Sequence, residues 1–127
     1  MTRQFVLVSL LALTSVHCDD HLLGEDVRAA TQCSHDPPLT YENFGEGFLK
    51  HHCNGCHSQW REFDWQRSGA PTGVDFDEWE SLLSWADRVL IRTEEGSMPP
   101  AGGPSQEERD IFVEWMECEV LPIAGRN

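Results

Sequence analysis

Two thiols and an imidazole stand together in Cys53-Asn54-Gly55-Cys56-His57, and three chemistries use that arrangement. Thiols at this spacing can add to the two vinyl groups of a single porphyrin, and the histidine that follows is then set beneath the iron. The same pair could cycle between dithiol and disulfide, but such motifs ordinarily sit between a strand and a helix, a context this stretch lacks. Half of a zinc site is the third reading. It needs two more ligands, for which Cys33 and Cys118 are the formal candidates. One covalent haem c, bonded through Cys53 and Cys56 and ligated by His57, is the chemistry the pattern favours.

Iron held by one histidine has a sixth position to fill. Met98 lies in Gly96-Ser97-Met98-Pro99-Pro100-Ala101-Gly102-Gly103-Pro104. That segment cannot be helical, because prolines remove donors and fix the backbone while glycines loosen it. A thioether presented there is a soft ligand that favours Fe(II) and raises the reduction potential. The plain alternative is that Met98 only packs or lies exposed. Met116 is a second thioether, but its place beside Trp115 on a helical face suits core packing. His51 and His52 adjoin the attachment site, are held on its side of the iron, and read as surface histidines. His21 and His35 would reach the iron only if the Met98 loop opened.

Trp60, Phe63, Trp65, Phe76, Trp79 and Leu83 are expected to exclude water from the haem and so lower the local dielectric. An ordinary aromatic core is the competing reading. Arg88 and Arg92, one helical turn apart, are candidates to pair with the haem propionates, or are solvated charges.

The elements that must position these residues are announced by caps and periodicity. Thr40 can N-cap a helix running through Tyr41, Phe44, Phe48 and Leu49 towards Cys53. Gly45 and Gly47 weaken it by about 1 kcal/mol each unless another helix approaches closely there. The stretch 58–73 lacks a sustained period and reads as a loop wrapped over something apolar. Asp75-Phe76-Asp77-Glu78 opens a second helix, with Trp79, Leu82, Leu83, Ala86, Val89 and Leu90 at helical spacing, that should stop near Gly96. Ser105-Gln106-Glu107-Glu108 repeats the capping-box pattern before Ile111, Phe112, Trp115 and Met116. That last helix is expected to pack on the first.

With 127 residues the chain has room for one domain. A formal charge of −13 argues against nucleic acid and anionic membrane surfaces as partners. It suits a partner with a basic docking surface, or serves solubility alone. Arg3 and the apolar run Phe5-Val6-Leu7-Val8-Ser9-Leu10-Leu11-Ala12-Leu13 read as an export signal over 1–17, too short to span a bilayer comfortably. Thr14-Ser15-Val16-His17-Cys18 resembles a bacterial lipobox, from which Ser15 and His17 depart. Cys18 is thus a candidate for lipidation and a membrane anchor, with ordinary cleavage as the alternative. Either route places the domain outside the cytoplasm, in the periplasm.

Export permits disulfides. With Cys53 and Cys56 on haem and Cys18 on lipid, Cys33 and Cys118 remain as the natural pair, or as two reduced thiols. A bridge closing a loop of ~100 residues is worth about 4.7 kcal/mol in the chain-entropy account. The organisation expected is a signal at 1–17, a flexible acidic tether at 18–38, a folded domain at 39–122 and a tail at 123–127.

With the attachment motif, the Met-Pro-Pro loop and the flanking helices in this order, residues 40–118 resemble a class I cytochrome c, in the compact single-haem form of bacterial periplasms. The resemblance implies an all-α fold of three main helices, with loops wrapped around one haem. It implies thioether bonds at Cys53 and Cys56, proximal ligation by His57 and distal ligation by Met98. It also implies that the carbonyl of Pro71 accepts the other ring proton of His57. The first and last helices of the family cross through a glycine and an aromatic residue, here Gly45 or Gly47 against Trp115. The implied activity is that of an electron carrier rather than an enzyme, serving redox partner proteins. A haem-based sensor in which Met98 yields to CO, NO or peroxide, and a haem subunit of a larger oxidoreductase complex, are the alternatives. The acidic tether and the extra Cys33 and Cys118 depart from the plainest members of the family.

Overall fold

The structure, a computed structural model, describes residues 31–100 and 102–125. The expected export signal, Cys18 and His21 lie outside the described residues. Among the described residues every regular element is helical, so the all-α expectation holds.

Thr40 opens the first helix with a reciprocal cap. Its Oγ1 accepts the Asn43 N–H at 3.2 Å, and Asn43 Oδ1 accepts the Thr40 N–H at 2.7 Å. A π-helical turn, Tyr41–Gly45, runs from this cap into α1, Glu46–His52. A long connection carrying only the short α2, Asp64–Arg67, leads to α3, Trp79–Glu94. The chain leaves α3 through Gly96 at φ +75°, a left-handed exit that glycine makes without strain. Ser105 and Glu108 cap α4, Gln106–Trp115, as the sequence pattern requires. The helix continues through a π-helical turn, Met116–Val120, into α5, Leu121–Ala124. Pro122 has no N–H to donate and its ring crowds the preceding turn, which accounts for the widening just before it.

The core lies where the first and last helices meet α3. Phe48 stacks on Phe112 with centroids 4.4 Å apart, and Phe44 meets the edge of Trp115 at 6.0 Å. Leu82, Leu83, Ala86, Val89 and Leu90 supply the α3 side of this core. Of the two glycines in the first helix, Gly45 makes the crossing. A Cβ there would overlap the Trp115 ring, whereas Gly47 has nothing within 4 Å of where its Cβ would be. The apparent cost of Gly45 in a helix is thus offset by close approach of a fully buried indole.

Two boundaries differ from expectation. Residues 33–35, assigned to the tether, are fastened to the last helices. Cys33 is disulfide-bonded to Cys118, and the backbone N–H groups of Ser34 and His35 donate to Glu114 Oε1 at 2.6 and 2.9 Å. Glu114 is buried on α4, and a buried carboxylate draws in donors. At the other end the expected tail begins too early, since Ile123 and Ala124 belong to α5 and pack against the core.

Candidate functional site

Cys53 caps the C-terminus of α1, with its N–H donated to Leu49 O at 2.8 Å. One further turn follows, in which the N–H groups of Cys56 and His57 both donate to Cys53 O, at 3.1 and 2.9 Å. This turn delivers Cys53, Cys56 and His57 to one wall of a cavity of about 620 Å³. Met98 lines the same cavity, as do Arg88 and Arg92, and Val74, Phe76, Trp85, Val89 and Pro99 make the lining largely apolar. Residues far apart in sequence and singled out for one chemistry therefore share one enclosure.

His57 is held in a defined orientation. Its Nδ1 lies 2.9 Å from the Val74 carbonyl, which can only accept, so Nδ1 carries the hydrogen and Nε2 presents its lone pair. Phe76 stacks on the imidazole at 4.6 Å and donates its N–H to His57 O at 2.9 Å. The acceptor expected here was Pro71. Its carbonyl is instead bonded to Arg67 Nη2 at 2.7 Å, and the chain turns between Pro71 and Val74, so that the later carbonyl reaches the ring.

Arg67 is the residue that the sequence reading missed. It is only 2% exposed, donates to the carbonyls of Ser58 at 2.8 Å, Ala70 at 3.1 Å and Pro71 at 2.7 Å, and pairs with Asp75 at 2.6 Å. The guanidinium is thus the internal frame of the loop after His57, and it also lines the cavity. In Asp64-Trp65-Gln66-Arg67 it looks like one more surface charge, since its partners have no fixed spacing.

This frame explains a second correction. Trp60, Phe63 and Trp65 are 76%, 56% and 78% exposed and do not shield the cavity, because the loop closes on the polar bonds of Arg67 rather than on an apolar filling. Trp79 turns edge-on to Tyr41 at 5.3 Å and Leu83 enters the core, so of the six expected shielding residues only Phe76 lines the cavity. Trp85 takes up that position. Its signal was legible, since Trp85, Arg88, Val89 and Arg92 fall on one helical face.

Met98 is anchored by its N–H, donated to Arg92 O at 3.0 Å, and the residue is exposed, at 43%, where it lines the cavity. Arg92 pairs with Glu95 at 3.1 Å on the exposed face of α3 while contributing to the cavity wall. His52, expected at the surface, is instead part of that wall, 4.7 Å from the Phe48 ring and 3.6 Å from Glu108. His51 is exposed and Met116 is fully buried, as expected. His35 is engaged with Glu114 through Nδ1 at 2.8 Å.

The competing chemistries lose their footing on these residues. Burial pushes the Cys53 thiol up to about 12, the reverse of what an attacking redox thiol needs. Cys33 and Cys118, the only further cysteines among the described residues, are joined to each other and so are not available to complete a zinc site. The groups on the cavity wall that could ligate a metal or carry positive charge are two thiols, the His57 imidazole with its Nε2 free, the His52 imidazole, a thioether and three guanidinium groups, of which Arg67 is already engaged within its loop, set among largely apolar walls. These residues fit a planar apolar macrocycle with anionic side groups, and the volume lies in the range usual for cofactor pockets. No protein-family model, curated protein or solved structure matches the chain.

Proposed function

We propose that this protein is an exported electron carrier with one covalently bound haem c, built on a cytochrome c fold. The observation that supports this reading most is the convergence of Cys53, Cys56, His57 and Met98 on one largely apolar cavity. Bound there, the haem would supply a one-electron Fe(III)/Fe(II) couple.

The chain's own residues have separable tasks in this reading. Cys53 and Cys56 provide the thioether sulfurs. His57 offers Nε2 as the proximal ligand, with its ring fixed by Val74 and Phe76. Met98 offers the distal sulfur, whose softness favours the reduced state. Val74, Phe76 and Val89 exclude water, and Arg88 and Arg92 stand ready to donate to the propionates. His57 and Met98 would together hold the iron with two protein side chains, which would favour a carrier over an enzyme. The acidic balance of the chain suits redox partners with a basic docking surface. The N-terminal pattern suits export to the periplasm, with Cys18 as a lipid anchor.

The test is an absorption spectrum of the chain exported together with a haem-ligation system. The expected result is covalent haem in the oxidised and reduced protein, with a weak long-wavelength Met-to-iron band in the oxidised form that disappears in Met98→Ala. Absence of covalent haem would overturn the reading of Cys53, Cys56 and His57. Persistence of the band in Met98→Ala would overturn the ligand assignment.

A further inference from the structure

The loop that presents Met98 leaves α3 after Glu94 and rejoins the helical body at the Ser105 cap of α4. One side chain spans its neck. Arg109, on the second turn of α4, donates from Nη1 to Thr93 O at 3.0 Å and from Nε to Pro104 O at 3.1 Å. Thr93 O, at the C-terminal end of α3, also accepts the Gly96 N–H at 3.1 Å. A guanidinium is well placed at that negative helix end.

The glycines on either side of Met98 make room for this group. A Cβ at Gly96 would lie 3.0 Å from Arg109 Nη1, and one at Gly103 would lie 3.4 Å from Nη2 and 3.0 Å from Pro99 Cδ. Gly96 and Gly103 therefore face the guanidinium with backbone alone. The planar fork of Arg109 lies between the departing and returning strands of the loop and bonds to both.

We infer that Arg109 is the positioning residue for Met98, closing the neck of its loop and so fixing where the thioether is offered. The inference rests on the reading of Met98 as the distal ligand. Arg109 does not line the cavity, so it acts through the loop and not on the iron. Loss of its two charge-assisted bonds removes this tie between the two sides of the neck and leaves local bonds on the α3 side, from the Met98 N–H and Ser97 Oγ to Arg92 O, from Ser97 Oγ to Glu95 and from the Gly96 N–H to Thr93 O.

The experiment compares Arg109→Gln and Arg109→Lys with the unmutated protein by two readouts. The first is amide hydrogen exchange at Gly96 and Met98, which needs no Met-to-iron bond. Exchange at both is expected to accelerate at least tenfold in Arg109→Gln, and by less in Arg109→Lys, which keeps a charged donor. The second is the Met-to-iron band of the oxidised protein and the rate of CO binding to the reduced one. Arg109→Gln is expected to weaken the band and speed CO binding at least tenfold. Gly45→Ala, which strains the far crossing of the first and last helices, serves as the control and should leave both optical readouts where they were. Unchanged exchange at Gly96 and Met98, or an unchanged band and CO rate in Arg109→Gln, overturns the inference. Accelerated exchange in Arg109→Gln, together with covalent haem but no Met-to-iron band in the unmutated protein, would refute Met98 as the ligand and the positioning role with it, while leaving covalent attachment at Cys53 and Cys56 standing.

Discussion

Alanine substituted at Gly45 and at Gly47 should move stability in opposite directions, although the two positions are neighbours in the same helix. By propensity alone each change favours the helix by up to about 1 kcal/mol. Gly47 has open space where a Cβ would be added, so Gly47→Ala should realise most of that gain. At Gly45 the new methyl would sit 2.6 Å from Trp115 Cη2 and 2.7 Å from Cε2, and would overlap Cζ2 more closely still. Carbon atoms in ordinary contact are about 3.5–4.0 Å apart, so roughly 1 Å must be recovered. Trp115 cannot provide it cheaply, because it is fully buried between Phe44, at 6.0 Å, and Phe112, at 5.7 Å. Overpacking of this kind costs about 1–3 kcal/mol, and several overlapping ring atoms place Gly45→Ala near the upper end. The two variants should therefore differ by about 3 kcal/mol. With a urea dependence of about 1–3 kcal/mol per molar, that is a separation of about 1–3 M in unfolding midpoint, measured with the disulfide intact. Equal shifts in the two midpoints, or stabilisation by Gly45→Ala, would refute the crossing.

Two further perturbations test the loop frame and the N-terminal latch. Arg67→Met should cost about 3–5 kcal/mol by leaving Asp75 buried without its partner, and Arg67→Met combined with Asp75→Leu should recover part of that loss; a single variant within about 1 kcal/mol of the parent in urea midpoint would show that the pair frames nothing. Partial burial pushes the Glu114 carboxyl up, but the bonds from the backbone and ring of His35 and from the Ser34 backbone together hold it below its ordinary value of 4.5. In acid the unfolded chain therefore binds the proton more readily than the folded one, so this contribution is present above about pH 4.5 and is lost as the pH falls below it. Glu114→Gln should flatten the fall in urea midpoint between neutral pH and pH 3; an unchanged slope would place the acid sensitivity elsewhere.

What the sequence makes legible here is set by the range of the physics involved. Caps act across three residues, so the Thr40–Asn43 and Ser105–Glu108 boxes and the helices they open can be read from adjacent letters. The grouping of Cys53, Cys56 and His57 is equally local, because a single turn after α1 carries all three. The Cys33–Cys118 bridge, though distant in sequence, is the pair expected when Cys18, Cys53 and Cys56 are set aside for other roles, and the structure forms it where two reduced thiols were the alternative. Helical spacing also marks the α3 face that carries Trp85, Arg88 and Arg92 to the cavity.

Tertiary structure decided the rest, and in each case a polar group had to find partners that no spacing rule specifies. Whether Val74 or Pro71 accepts from His57 depends on the turn between them, with Arg67 Nη2 lying 2.7 Å from the Pro71 carbonyl and 3.4 Å from that of Val74. Whether Trp60, Phe63 and Trp65 cover the cavity depends on what fills the loop, and a buried guanidinium there turns all three outward. The choice of Gly45 over Gly47 belongs to the angle at which Trp115 arrives, and the tie across the Met98 loop belongs to an arginine on a different helix. Local sequence can encode a cap or a turn because the donor and acceptor travel together along the chain. Nothing along the chain records which distant carbonyls a single long, charged side chain will reach once the core has closed.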